Sequence, residues 1–429
     1  MRQWMVHCLV LSLSLPVADV AASEWSHQGS GRFVTLGEYK TDTDFSPVGP
    51  ALDVDGQEGG FLGLLFEPAW RLESSKGFVF DVRAELRLGG AQLSGGDSIS
   101  LYGKDLAIRL APKEGFQGSA GLVERRDATG LVLYQPVVGF GAGWSYETTH
   151  YEFWIAQAEE NSPEGYGLES DNFGADHWIG GLDLLFERPA QSVGLTVLGS
   201  LDRNESLEER RMGIFSVSAT RETAVYRSWL HGVIGLGDSE MGTLRDEEQT
   251  LLFWGGQVGL EYFRKGARFG LNGLVLSGDD GKDGNDLNGS FQWSGKSQSR
   301  TIVLTEDERF RRNHSIAVAM SDPTGVYREV SAGLHVSELA VGYNWDGGVE
   351  LMTYGAIGQS LEASYTGGHD LLGIETGLSL TWFPSAGLQV FGHGAVVVPG
   401  SGGAYVYNGT NLTDEDPLCV VQLGVDASF

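Results

Sequence analysis

Apolar and polar residues alternate strictly over long segments of this chain. In residues 78–88, FVFDVRAELRL, every even-numbered residue is apolar and, after Val79, every odd-numbered residue is charged. A β-strand sends successive side chains to opposite faces, so such a segment has one apolar and one charged face. Residues 62–73 and 192–202 alternate over similar lengths. Tilted strands of about 9–11 residues cross a bilayer, whereas strands of soluble sheets are commonly about 5–6 residues long. The alternation therefore predicts strands that cross a membrane.

The same pattern along the whole chain predicts eighteen strands. They are expected near residues 31–39, 60–73, 77–89, 98–111, 115–125, 131–146, 149–159, 174–187, 191–202, 210–221, 223–237, 249–264, 266–277, 329–343, 347–358, 370–383, 386–398 and 416–429. An even number of antiparallel strands closes into a cylinder that leaves no edge unpaired in lipid. The predicted fold class is all-β, a transmembrane antiparallel β-barrel of about eighteen strands.

The connections between these strands alternate in length. Those after even-numbered strands are short, whereas those after odd-numbered strands are longer, and residues 277–328 form the longest predicted loop. Bacterial outer-membrane barrels combine short periplasmic turns with long extracellular loops. Aromatic residues near predicted strand ends, such as Trp70, Trp144 and Trp382, fit the aromatic girdles at the membrane interfaces.

The two ends of the chain suggest export and insertion. Residues 1–22 combine a basic start, a short apolar run and small residues, which is typical of a cleaved secretory signal. The predicted barrel is therefore residues 23–429, in which Cys419 is the single cysteine and no intramolecular disulfide is possible. The final strand ends at Phe429 and resembles the C-terminal signal read by the outer-membrane barrel-assembly machinery.

Composition excludes several classes of protein. The formal net charge is −28 and no basic stripe is present, so no nucleic-acid partner is expected. The 63 glycines follow no fixed period, which argues against a collagen-like chain. We find no zinc-ligand spacing and no GxxxxGK[ST] loop, and we expect no cofactor. The acidic loops, such as residues 158–171, are interpreted as solvated surface beside outer-membrane lipid and lipopolysaccharide.

Eighteen strands enclose an aqueous channel, so function should lie on inward-facing side chains. Alternation assigns the main candidates for the solute path, namely Glu67, Arg71, Asp81, Arg83, Glu85, Arg87, Asp105, Arg109, Arg227, Arg268 and Glu375. It also points Arg221, His231, Glu261, His335, Glu350 and His393 inward.

Two interpretations of these charges remain open. The arginines and carboxylates can form a ladder of salt bridges that holds the wall. Alternatively, the arginines are partly free and bind the carboxylates of a passing anionic solute with their planar guanidinium groups.

Two further motifs were weighed. Asp279, Asp280 and Asp283 form an acidic stretch that is a weak candidate for an external cation site, since the bidentate glutamate of an EF-hand is missing. His335 and Ser337 supply two members of a nucleophilic triad, but alternation assigns them to the lumen and no activating partner is readable. We therefore expect no enzyme.

Residues 277–280, SGDD, followed by 290–293, SFQW, together with the glycine-rich segment 371–402, resemble the alginate-export family of outer-membrane barrels. The resemblance is strongest over residues 250–429. It implies an arginine-lined pore that passes an acidic exopolysaccharide outward, a monomeric state and periplasmic export components as partners. The alternative function is a passive diffusion porin for small solutes.

Overall fold

The computed structural model describes residues 25–40, 59–91, 97–110, 115–158, 166–167, 177–204, 208–241, 248–279, 286–287, 298–305, 319–321, 327–329, 333–363, 366–408 and 417–429. The predicted signal segment 1–22 lies outside these residues. Among the helices of these ranges, none is long and apolar enough to cross a membrane.

Eighteen long strands form the wall. They are β1 (Trp25–Lys40), β2 (Gly59–Ser74), β3 (Phe78–Ala91), β4 (Asp97–Leu110), β5 (Gly115–Arg126), β6 (Tyr134–Tyr146), β7 (Thr149–Ala158), β8 (Trp178–Arg188), β9 (Gln191–Asn204), β10 (Glu208–Glu222), β11 (Tyr226–Met241), β12 (Glu248–Arg264), β13 (Ala267–Leu276), β14 (Leu334–Trp345), β15 (Val349–Gln359), β16 (Leu371–Ser385), β17 (Leu388–Pro399) and β18 (Leu418–Ser428). Helix α1 (Ser401–Asn408) follows β17.

Each strand pairs antiparallel with its neighbours in sequence, and β1 closes the sheet against β18. The closing register runs from Arg32 opposite Ser428 to Lys40 opposite Val420. The predicted closed barrel of eighteen antiparallel strands is therefore confirmed.

The two rims differ in the length of their connections. After even-numbered strands the connections are short, as in residues 147–148, 189–190 and 265–266, and we call this rim the short-turn end. The other rim, the long-loop end, carries connections as long as residues 277–333, although residues 205–207 are an exception there. The predicted alternation of connection length is thus present with that one departure.

The outer face is apolar. Large side chains that a water-soluble fold would bury are exposed there, including Leu62, Phe140, Phe153 and Leu423. Aromatic rings cluster on this face near the short-turn end, namely Trp70, Trp144, Tyr146, Trp345 and Trp382. Exposed apolar surface of this extent is stable in lipid and not in water, and the aromatic rings match an interfacial girdle.

The part of β5 near the long-loop end does not pair with its neighbour β4 in the wall. β5 pairs with β4 only over residues 118–122. Closer to the long-loop end, β4 pairs instead with Tyr166 and Gly167, which belong to the connection between β7 and β8. The tops of β5 and β6 therefore lean into the barrel and carry residues 127–133 with them. This explains why β6 begins at Tyr134 and not at the predicted residue 131.

Phe429 covers a glycine at the seam between the first and last strands. The backbone of Phe429 exchanges hydrogen bonds of 2.8 and 2.9 Å with Gly31. A Cβ atom on Gly31 would lie 2.6 Å from the Phe429 ring, whereas a Cβ on Gly37, six residues further along the same face, would only approach a backbone oxygen at 3.8 Å.

We therefore expect Gly31→Ala to displace the Phe429 ring and to lower the thermal unfolding temperature of the barrel slightly, because the ring is 72% exposed and can move away from the added methyl group. Gly37→Ala on the same strand and face is the matched control and should leave the temperature unchanged. Heat-dependent migration on semi-native gels measures both variants. Equal unfolding temperatures for the two variants would show that the ring does not pack on Gly31.

Candidate functional site: the lumen

Two segments fold into the barrel from the long-loop end. Residues 127–133 form what we call the inner turn, and residues 298–305 form what we call the strap. Both are largely buried although neither belongs to a long strand. What holds them in place determines how much of the lumen stays open.

Glu375 of β16 anchors the strap. Its carboxylate accepts hydrogen bonds from three consecutive backbone N–H groups, those of Ile302 (2.6 Å), Val303 (3.1 Å) and Leu304 (2.9 Å). The Tyr354 hydroxyl donates a fourth hydrogen bond at 2.7 Å. Glu375 is fully buried, so four donors replace the water that the carboxylate has lost.

Arg300 fixes the start of the strap. Its guanidinium donates to Glu338 of β14 at 2.5 Å and also contacts Glu261 of β12. Glu338 additionally accepts from the Ser299 hydroxyl and the Arg300 N–H, both at 2.9 Å. Arg268 donates to Glu261 from the other side at 2.7 Å. The strap is therefore bound to the wall through buried ion pairs on one side and Glu375 on the other.

Asp127 organises the inner turn. Its carboxylate accepts the N–H groups of Thr129 (2.9 Å), Val132 (3.1 Å) and Leu133 (2.9 Å). The turn also touches the wall, because the Thr129 carbonyl accepts a hydrogen bond from His231 Nδ1 at 3.1 Å. Because Asp127 accepts hydrogen bonds from these N–H groups, the turn can be buried inside the barrel without leaving them unsatisfied.

Apolar inward-facing side chains surround both segments in the half of the barrel near the long-loop end. One buried cluster joins Leu131 of the inner turn with Val303 and Leu304 of the strap and with the first or last residues of β13 to β18. A second cluster joins Val132 and Leu133 with inward side chains of β6 to β12, including Trp154, Ile179, Leu198, Ile214 and Phe253. Packed apolar side chains therefore fill this side of the lumen.

The opposite wall, on β1 to β5 and β18, stays partly exposed and carries the charges. Arg32 donates to Asp426 at 2.7 Å and to Glu67 at 3.3 Å. Arg83 contacts Glu124 at 3.1 Å, with 36% and 38% of the two side chains exposed. The open part of the lumen therefore runs along this wall, which we call the charged strip.

Arg109 lies at the centre of the charged strip. It donates to Asp105 at 2.8 Å and contacts Asp81 of the neighbouring strand. Arg32, Arg83 and Arg109 thus each face at least one carboxylate. The geometry is that of a salt-bridge ladder, the first of the two interpretations drawn from the sequence.

The remaining candidates are spread around the barrel. Arg71 and Glu73 lie 3.4 Å apart near the short-turn end, both about half exposed. Arg227 lies 3.9 Å from Glu222 and stacks over Trp229. Arg268 also pairs with Glu350 at 2.7 Å. The side chains of Glu85 and Arg87 lie outside the described residues.

Three inward assignments are wrong, those of Arg221, His335 and Ser337. Arg221 lies on the outer face near the short-turn end, where it stacks over Tyr226, because β10 turns its odd-numbered residues, such as Phe215, to lipid. His335 and Ser337 also face outward, since Leu334, Val336 and Glu338 are the buried inward residues of β14. In all three cases polar residues near a membrane interface occupy the lipid side, which alternation by polarity alone cannot reveal.

The acidic stretch that is a candidate cation site lies mostly outside the described residues. Asp279 is buried at the end of β13, whereas Asp280 and Asp283 lie outside the described residues. No group of three or more His, Cys, Asp or Glu side chains suited to a metal occurs in the described ranges.

Several site residues were not anticipated from the sequence. Arg300 lies in a segment without strand alternation, and Glu338 and Asp426 are isolated acids within apolar strands. Arg32 belongs to the first strand, which was predicted to begin just before it. Alternation could have placed Asp426 inward, but no sequence signal predicts that Arg300 returns from a long loop to meet Glu338.

No family model and no curated protein matches this chain. Solved structures do match along its length. OccK8 (OprE) of Pseudomonas aeruginosa has a TM-score of 0.56 at 10% identity, covering 94% of this chain and 98% of its own. OccK2 (OpdF) of the same organism, solved with glucuronate, has a TM-score of 0.55 at 11% identity and the same coverage. Pseudomonas aeruginosa OprD has a TM-score of 0.50 at 14% identity, covering 94% and 95%.

The fold is therefore that of outer-membrane porins with eighteen strands. The resemblance to the alginate-export family is wrong, because the barrel is similar instead to porins of the Occ type. Within the glycine-rich segment 371–402, Glu375 holds the strap.

Proposed function

We propose that this protein is a passive outer-membrane channel for small hydrophilic solutes. One observation carries the proposal, namely that a charged, partly exposed strip remains beside an otherwise packed lumen. Such a lumen gives water and polar solutes a path while excluding lipid. Similarity to porins, one of which was solved with the small sugar acid glucuronate, supports small solutes as the class.

The size of the solute follows from the inner turn and the strap. Both segments enter from the long-loop end and are fixed by buried carboxylates, so they narrow the cross-section permanently. A barrel of eighteen strands without such segments would leave a wide channel. Monosaccharides, amino acids and small organic ions fit this description better than polymers do.

The charge balance of the strip favours cations over anions. Seven carboxylates lie on the strands of the strip in the described residues, namely Glu38, Glu67, Glu73, Asp81, Asp105, Glu124 and Asp426, against six arginines, Arg32, Arg71, Arg83, Arg109, Arg125 and Arg126. The described charges of this wall are therefore negative by one. Rings and rows of carboxylates select cations in water-filled pores.

We expect the purified protein in planar bilayers to show a modest preference for K⁺ over Cl⁻, read from the reversal potential in a KCl gradient. In liposome-swelling assays, monosaccharides should enter faster than trisaccharides. Glu67→Gln should weaken the cation preference, and Arg221→Gln, on the outer face, serves as the control. Anion selectivity that is lost in Arg83→Ala would contradict this function, as would absence of any conductance.

The porin-like fold supports a location in the outer membrane. Signal cleavage and assembly into that membrane are further parts of the proposal. We infer that the signal segment 1–22 is cleaved and that the assembly machinery reads the strand ending in Phe429. N-terminal sequencing of the protein extracted from outer membranes tests the first point.

A further inference from the structure

Three polar side chains on the outer face form a hydrogen-bonded row. Ser337 and His335 are neighbours on the same face of β14, and Gln359 lies opposite His335 on β15. The Ser337 hydroxyl lies 3.1 Å from His335 Nε2. His335 Nδ1 lies 3.2 Å from Gln359 Oε1. Polar residues linked in this way are unexpected on a face that otherwise carries large apolar side chains.

The hydrogen bonds determine the roles of the three groups. The Gln359 carbonyl oxygen can only accept, so Nδ1 of His335 carries the proton and donates it. Nε2 then holds a lone pair and accepts the hydroxyl hydrogen of Ser337. A hydroxyl, an imidazole that takes its proton and a third group that orients the imidazole form the arrangement that activates a serine nucleophile.

We propose that Ser337 is the nucleophile of a second, hydrolytic site that cleaves acyl esters of membrane lipids. His335 acts as its general base, and Gln359 is a positioning residue. This activity is additional to the diffusion channel and uses the opposite side of the wall, so either can fail without the other.

The depth of the row fits an ester substrate. His335 is the second residue of β14 and Gln359 is the last residue of β15, so both lie at the long-loop end. That rim meets the interfacial layer of the outer leaflet, where the ester bonds of lipids are found beside the hydrocarbon core. Ser337 and Gln359 are exposed there and reachable from the membrane.

An apolar groove leads away from Ser337. It has a volume of about 560 Å³ and runs over the outer face of β12 to β15. Apolar side chains line it, namely Val258, Leu260, Leu271, Leu339 and Ile357, and Gly273 and Gly355 leave room at its floor. Leu339 lies two residues from Ser337 toward the short-turn end, so the groove descends into the hydrocarbon layer. Its shape and polarity suit an acyl chain whose ester group reaches Ser337.

The reaction balances with water as the only co-reactant. Ser337 Oγ attacks the ester carbonyl carbon while its proton passes to His335 Nε2. The carbon–oxygen bond to the lipid alcohol breaks, and the alcohol leaves with the proton from His335. Water then gives its proton to His335 and attacks the acyl-serine ester, which releases the fatty acid and restores Ser337.

The backbone around Ser337 is used in the sheet, where Ser337 pairs with Gly273 and Ile357. Within the described residues no pair of free N–H groups is therefore available to stabilise an oxyanion, and such donors are worth about 10²–10³ in rate. Turnover should be slow, so covalent labelling, which needs a single attack, is the sensitive measurement.

The test uses the full-length protein in detergent micelles and a long-chain alkyl fluorophosphonate, which modifies activated serines. The parent should be labelled at Ser337, as mapped by mass spectrometry, and Ser337→Ala should show background only. Ser228→Ala, which removes another outward serine on β11, is the matched control and should label like the parent. His335→Gln should slow labelling by at least about a hundredfold, the usual contribution of a general base.

Gln359 and the groove are tested separately. Gln359→Leu should slow labelling and change its pH profile, and Gln359→Glu should restore the rate, because a carboxylate also accepts from Nδ1. Gly355→Leu, whose added side chain meets open space, should slow the long-chain probe but not a short-chain one. Fatty acid released from phospholipid vesicles or from lipopolysaccharide identifies the lipid.

An unlabelled parent protein, or equal labelling in Ser337→Ala, would overturn the proposal, provided that heat-dependent gel migration shows folded barrels. Conductance of Ser337→Ala should equal that of the parent, which separates this result from a failure of the channel.

Discussion

Glu375→Ala should open the channel, with higher single-channel conductance and faster entry of larger sugars in swelling assays. The substitution removes the carboxylate that accepts hydrogen bonds from three backbone N–H groups of the strap and from the Tyr354 hydroxyl. Hydrogen bonds to a charged acceptor contribute about 1.5–3 kcal/mol each, so the strap loses several kcal/mol of attachment. The hydrogen bonds between the strands of the wall are unchanged. The barrel should therefore still insert into membranes and migrate on gels as a folded species.

A graded series sharpens this prediction. Tyr354→Phe removes one of the four donors to Glu375 and should have a smaller effect on conductance. Glu67→Ala, an inward carboxylate that pairs with Arg32 across the lumen from the strap, controls for the loss of charge alone. If Glu375→Ala and Glu67→Ala changed conductance and sugar permeability equally, the strap would not be what limits the pore.

Arg300→Ala should destabilise the barrel more than any exposed arginine substitution. Glu338 and Glu261, with side-chain exposures of 0% and 3%, would lose the guanidinium that faces both of them. Removing one partner from a buried ion pair costs about 3–5 kcal/mol, and here Glu338 would be left buried with no counter-ion among the described residues, whereas Glu261 keeps Arg268. Denaturant unfolding in detergent, followed by tryptophan fluorescence, measures the loss.

Two variants accompany this measurement. Arg71→Ala breaks an ion pair in which 49% of each side chain is exposed and should change the free energy of unfolding by only about 0–1 kcal/mol. The double substitution Arg300→Met with Glu338→Gln removes both charges and should recover part of the stability. A loss for Arg300→Ala no greater than that for Arg71→Ala would mean that the buried pairs do not hold the strap.

The wall of the barrel could be predicted closely, because its strands are determined by residues that are near one another in the sequence. Where one face meets lipid, as at Phe78 and Phe80, strand register and strand ends follow from alternation and turn chemistry. The interior could not be predicted in the same way. Trp154, Ile179 and Leu198 face inward although they are apolar, because the inner turn and the strap bring apolar side chains to meet them. Contacts between such distant segments leave no periodic signal in the sequence.

The contacts within the candidate sites could not be predicted from the sequence either. The sequence placed Glu375 inward but could not show that it holds the strap. Likewise it recognised His335 and Ser337 as a pair, yet Gln359 became visible as their partner only through the register of β14 and β15. The pairing state of Arg83 and Arg109 also depends on cross-strand distances that residue order does not contain.

The short piece at Tyr166 and Gly167 has a practical consequence for anyone who modifies this protein. Surface connections of barrels are the usual places for epitopes, fluorophores or cysteine handles. Here the connection between β7 and β8 substitutes for β5 beside β4, at Tyr102 and Gly103. A tag inserted between Tyr166 and Gly167 would therefore breach the cylinder itself, and a label meant to report on a loop would report on the integrity of the wall.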